Sequence, residues 1–98
     1  MSEIQLIKFT SGEEIICTIL SQNDDQIHIE DGVTLVYHQN EQGSVSVGFS
    51  PYMPYSDGTI HIKAQSIQSI SIVKSELLNE YKRVFSKIVI APASTIIM

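Results

Sequence analysis

The sequence predicts a small, mostly-β domain that closes with one α-helix, on three observations. Apolar and polar residues alternate with a period of two over most of the chain up to Val73. Clusters of Gly, Asn, Asp and Ser interrupt that alternation at short intervals, as hairpin turns do. From Ser75 onward the period lengthens to that of a helix.

The elements follow in order. Ile4, Leu6 and Lys8 alternate with Gln5, Ile7 and Phe9 until Gly12 breaks the run, and Ile15, Cys17 and Ile19 resume it, which is a hairpin pattern. Ser21-Gln22-Asn23-Asp24-Asp25 is a turn cluster, after which Ile27 and Ile29 alternate with His28 and Glu30. Asp31-Gly32 then signals a turn or a bulge before Val33, so 27–38 is either one strongly bent strand or two strands. Asn40-Glu41-Gln42-Gly43-Ser44 turns the chain again, ahead of Val45 to Phe49. Segment 49–58 contains Pro51 and Pro54, which donate no ladder hydrogen bonds, and reads as a long loop. Ile60 to Lys63 and Ile67 to Val73 are two short strands on either side of Ala64-Gln65-Ser66.

Leu77, Leu78, Tyr81, Val84, Phe85 and Ile88 then recur at helical spacing, an apolar stripe for a helix over 75–88. Ser75 is placed to cap it, Glu76 favours its first turn, and Lys82, Arg83 and Lys87 favour its last turns. The stripe is expected to cover the sheet. The tail 89–98 is apolar, with Pro92 as a stop, and is expected to pack against the helix or a neighbouring subunit.

Length and composition bound the function. Ninety-eight residues make one domain, 1–98, and 43% hydrophobic with 17% charged residues describes a globular chain. The formal charge is −5, unevenly spread: residues 1–60 carry one basic residue against nine acidic ones, and residues 61–98 carry five against two. Contact with phosphates needs clustered Lys and Arg, so a nucleic-acid contact must draw on the second part or on a rim built by symmetry. No stretch is apolar over the roughly 18 residues that a membrane-spanning helix needs, and no basic, then apolar leader opens the chain, so a cytoplasmic protein is expected.

Cys17 is the single cysteine and excludes an internal disulfide framework or a multi-cysteine zinc site; it reads as a small packing residue. His28, His38 and His61 fall on three separate predicted extended segments, so no metal site is expected. The acidic pairs Glu13-Glu14, Asp24-Asp25 and Glu30-Asp31 sit at turns, and adjacent strand residues point to opposite faces, so they are no acid/base pair. With no phosphate-binding glycine loop and no nucleophile motif, neither an enzyme nor a cofactor is expected.

Two stretches carry a family resemblance. Leu6-Ile7-Lys8-Phe9-Thr10-Ser11-Gly12, continuing through Ile15, Cys17 and Ile19 to Asp31, resembles the first motif of the Sm-like fold. Ile60-His61-Ile62-Lys63-Ala64, with Ile67 and Ile70, resembles the second. Gly12 matches the turn glycine, and Cys17 stands where the family usually has a second glycine. Gln26 is the nearest counterpart of the base-pinching asparagine, and Lys63-Ala64 replaces Arg-Gly, keeping the charge and losing the planar fork. The first motif spans 4–38, a variable loop 49–58 and the second motif 59–73; the whole pattern is similar to divergent Sm-like proteins of marine cyanophages.

The resemblance implies a strongly bent, five-stranded open barrel followed here by a C-terminal helix, and a homo-oligomeric ring formed by strand addition. It also implies weak binding of single-stranded RNA at a pore rim through Gln26, Lys63, Asp24 and Asn23. Phe49, Tyr52 and Tyr55 are candidates for a protein partner, against the simpler reading that they fold over one end of the core. The alternative function is a homo-oligomeric scaffold or interaction module without RNA binding.

Overall fold

A computed structural model of the chain describes the backbone of residues 3–90 and side chains as far as Phe85. Six strand segments precede one helix: β1 (Glu3–Phe9), β2 (Glu14–Gln22), β3 (Gln26–Gln39), β4 (Val45–Pro51), β5 (Ile60–Lys63), β6 (Ile67–Ser71) and α1 (Ser75–Ile90), with a single 3-10 turn at Ala64–Ser66. They form one antiparallel sheet in the order β4-β3-β2-β1-β6, and β5 also pairs with β3. The fold is the expected bent, mostly-β sheet with a C-terminal helix.

The extra strand is explained by β3. Val33 to Gln39 pair with β4, and Gln26 to Ile29 pair with β5, so β4 and β5 lie end to end along one side of β3 and stand for one interrupted strand. The interruption is the segment 52–59. The loop expected over 49–58 is thus shorter at its start, because Phe49 to Pro51 complete β4; Pro51 ends an edge strand, where its missing N–H costs no ladder bond.

Three tight turns set the hairpin registers. Gly12 sits at φ 98°, and bonds from Gly12 N–H to Phe9 C=O (2.9 Å) and from Phe9 N–H to Glu13 C=O (2.8 Å) close a three-residue turn that a side chain at position 12 would strain. Asn40 to Ser44 repeats that arrangement with Gly43. At the β2–β3 turn the Asn23 side chain accepts from the N–H groups of Asp25 (2.8 Å) and Gln26 (2.9 Å), a local cap for the two-residue turn Asp24-Asp25.

β3 is one continuous strand. Its bend is a bulge at Asp31, a non-glycine residue at φ 54°, where Asp31 and Gly32 together oppose Cys17 on β2. The extra residue exchanges faces. Ile27 and Ile29 join an inner cluster with Ile7, Phe9, Ile15, Cys17, Ile19 and Ile62, around which the sheet curls. Val33 and Leu35, in the same sequence phase, join Ile16, Val73 and Tyr81 on the opposite face, under the helix.

The helix covers this second face through Leu77, Leu78, Tyr81 and Phe85, as the stripe predicts. Leu78 N–H donates to Lys74 C=O at 2.9 Å, so Lys74 rather than Ser75 holds the cap position, and Ser75 is the first helical residue. The expectations for the Ile88 side chain and for the tail from Ala91 lie outside the described residues. No described helix is long and apolar enough to cross a membrane.

Candidate nucleic-acid interface

The β2–β3 turn and the short β5 come together at one corner of the sheet. Gln26 and Lys63 are direct partners in the β3–β5 ladder, and Ala64 N–H donates to Asp25 C=O at 2.8 Å, tying the two loops. The 3-10 turn is held from its other side, where Ser66 C=O accepts from Thr10 N–H at 2.9 Å and Ser66 Oγ donates to Lys63 C=O at 2.7 Å. Asp24, Asp25, Gln26, Lys63, Ala64 and Gln65 line an open groove of about 530 Å³ at this corner. The backbone of the groove is therefore fixed by hydrogen bonds, while Lys63 and Asp24 remain exposed.

The four sequence candidates converge here, in different ways. Gln26 and Lys63 share a face, since directly opposed residues of an antiparallel pair project to the same side. Asp24 lines the groove from the turn. Asn23 spends its side-chain oxygen on the two backbone N–H groups of its own turn and so shapes the loop. The groove's cation stands beside two carboxylates, and the sole ion pair among the described residues is Arg83 with Glu80 on the helix.

Sequence reasoning missed a neighbour of this groove. His28 and His61 are directly opposed two residues along the same ladder, and their rings stack with centroids 4.1 Å apart and 15° between planes. His28 Nε2 also lies 3.3 Å from Gln26 Oε1. The expectation of three separate histidine segments is corrected: His28 and His38 both lie on β3, because its two halves form one strand. His38 is at the far end, against Gly48. No group of three metal-binding side chains occurs among the described residues. The signal that would have found the histidine pair was the register of the two motifs, since Gln26 opposite Lys63 puts His28 opposite His61.

The three aromatic candidates divide. Phe49 packs against the helix-side cluster, and Tyr52 stacks on Phe9 of the inner cluster with centroids 5.9 Å apart. Tyr52 N–H also donates to Gly32 C=O at 3.0 Å, fastening the start of the loop to the bulge. Tyr55 is wholly exposed and Met53 half exposed, with Met53 at φ 54°. The loop thus anchors by Tyr52 and displays Tyr55. Cys17 is fully buried, and burial pushes its thiol up to about 12, consistent with packing.

The Sm_like domain family matches residues 6–82 of this chain. The chain belongs to the Sm-like family. The match runs from β1 into the middle of α1, so the C-terminal helix to Lys82 lies within the Sm-like region. No curated protein matches the chain.

Proposed function

We propose that this Sm-like protein forms a closed homo-oligomeric ring and binds single-stranded RNA weakly at the ring's rim, through Lys63 and Gln26, with Asp24 and Asn23 shaping the loop. The observation that carries the reading is the direct pairing of Gln26 with Lys63 in one open, hydrogen-bonded groove. A single lysine is a weak phosphate ligand. Symmetry would repeat it around a rim and focus its potential, while also repeating Asp24 and Asp25, which keeps the affinity low.

Assembly is supported by the open edges. Among the described residues no ladder joins β5 to β6, so each has an edge that no described strand pairs, and β4 is the sheet's other end. Val45 and Val47 on β4, with Ile70 and Ile72 at β6, are exposed apolar side chains on those edges. Backbone pairing of β5 from one subunit with β6 of the next satisfies unpaired N–H and C=O groups and covers apolar surface. A phage-encoded ring acting in host cytoplasm is the further part of this proposal, and its one ground is the resemblance of the motif pattern to Sm-like proteins of marine cyanophages.

The second reading is a scaffold without RNA, favoured by the two carboxylates beside Lys63 and by the fully exposed Tyr55 on the loop 52–59. One pair of measurements separates them: mass by light scattering, and binding of short oligouridine at about 50 and 200 mM salt. The RNA reading expects an oligomer whose affinity falls with salt, and a Lys63→Ala variant that keeps the oligomer, binds more weakly and shows a flatter slope. Equal, negligible binding by wild type and Lys63→Ala leaves the scaffold. A strictly monomeric protein rejects the ring.

A further inference from the structure

We propose that Asp57-Gly58, in the loop 52–59, is a site of spontaneous backbone modification, where the Gly58 amide nitrogen closes on the Asp57 carboxyl and the chain rearranges to isoaspartate. The inference rests on neither the ring nor the RNA reading. Asp-Gly occurs twice in the sequence, at Asp31-Gly32 and at Asp57-Gly58, and the structure treats the two pairs in opposite ways. Cyclisation asks one thing of the backbone: the peptide plane joining Asp to Gly must turn until the Gly nitrogen meets the Asp side-chain carbon. Glycine allows that approach because it has no Cβ to stand in the way.

At 31–32 the plane is pinned. Asp31 C=O accepts from the Tyr81 hydroxyl at 2.7 Å, Gly32 C=O accepts from Tyr52 N–H at 3.0 Å, and both residues belong to β3. At 57–58 it is loose. The loop's last internal hydrogen bond runs from Ser56 N–H to Met53 C=O at 3.0 Å, and among the described residues neither Asp57 C=O nor Gly58 N–H has a partner. Both residues are exposed and lie in no strand, and no described atom stands within 4 Å of where a Gly58 Cβ would be. Exposed loop backbone without hydrogen bonds is the part of a fold that moves most easily.

The step balances without a co-reactant. The Gly58 nitrogen gives up its proton and bonds to Asp57 Cγ, a carboxyl oxygen leaves as water, and a succinimide ring results. Water then reopens the ring. Opening at Cγ restores aspartate, whereas opening at the main-chain carbonyl carbon of Asp57 leaves Gly58 joined through the side chain, with one more methylene in the backbone and the carboxylate charge kept. Because 52–59 sets no pairing in the sheet, the loop absorbs the longer backbone and modified copies stay folded. The product is a native protein carrying isoaspartate, the substrate class of carboxyl methyltransferases that recognise that residue.

The test incubates the full chain for several weeks at neutral pH and physiological temperature, native and in guanidinium chloride. Isoaspartate is read residue by residue by electron-transfer fragmentation and by resistance to a protease that cleaves before aspartate. In the native protein it is expected at 57 and not at 31, with the melting temperature unchanged. In denaturant, where no plane is pinned, it is expected at both. Asp57→Glu, which needs a larger ring, should remove the native signal, and Asp57→Asn, which expels ammonia more readily than aspartate expels water, should hasten it. Native protein that stays free of isoaspartate at 57 overturns the proposal, whatever the denatured chain does. So does isoaspartate appearing at 31 as fast as at 57 in the native protein, since the pinned plane would then protect nothing. A melting temperature that falls as isoaspartate builds up rejects the loop as the element that absorbs it.

Discussion

The hydroxyl of Tyr81 donates to the backbone carbonyl of Asp31 at 2.7 Å, tying the middle of the helix to the residue at which β3 bends. Thr18 Oγ1 lies 3.1 Å from the same hydroxyl, on the strand opposite the bulge. A bulge leaves a residue without its ladder partner, and the phenol supplies one from another element. Burial pushes the Tyr81 phenol upward, so it stays protonated and able to donate.

Tyr81→Phe should therefore destabilise the fold by about 1–2 kcal/mol, the range for stripping a partner from a polar group inside a protein. Tyr81→Ala removes the ring as well and should cost about 3–5 kcal/mol. Urea unfolding followed by circular dichroism measures both. Equal costs for the two variants would show that the ring does no packing.

The helix stripe gives a second expectation. Leu78 and Phe85 pack against Ile16, Val33, Leu35 and Val73, so Leu78→Asp or Phe85→Asp loses burial and places a charge on an apolar face. Each should cost about 3 kcal/mol. An unchanged melting temperature in Phe85→Asp would mean that α1 does not cover the sheet.

Much of this was legible in the residues. The alternation and the glycine turn mark the first hairpin, and the change of period marks the helix, because both signals are local. The helix cap was displaced by one residue, since Ser75 and Lys74 differ only in which carbonyl takes the first bond. The face exchange in β3 was not legible. Ile27, Ile29, Val33 and Leu35 keep one sequence phase, and only the left-handed backbone of Asp31 assigns them to two clusters. Of the groove, Gln26 and Lys63 were visible through their motifs. The histidine stack was not, because it depends on a register between strands far apart in the chain.

Gly32 is held at the bulge by proximity. A Cβ there would lie 3.2 Å from Tyr52 Cβ and 3.4 Å from Tyr52 Cδ2, so Gly32→Ala must push Tyr52 away from Phe9 or strain the bulge. A cost of about 1–3 kcal/mol is expected from such overpacking. Calorimetric melting of Gly32→Ala beside Tyr52→Ala checks it: the double variant should lose less than the sum of the two.

Cys17 should be chemically silent in the native protein. Its thiol is fully buried and pushed up to about 12, so almost no thiolate forms at pH 8. Iodoacetamide at that pH should leave the folded chain unmodified and label it fully in urea, as read by mass spectrometry. Rapid labelling of the native protein would place Cys17 at the surface.

The split of one strand into β4 and β5 separates framework from ornament. Both segments take their register from β3, so the eight residues of 52–59 leave the sheet and rejoin it without setting any pairing. Doubling such an excursion adds only about 0.6 kcal/mol of closure entropy. The site is thus a natural port for inserted peptide, free to diversify or to be engineered, and in a symmetric ring every graft would be copied once per subunit at the same height.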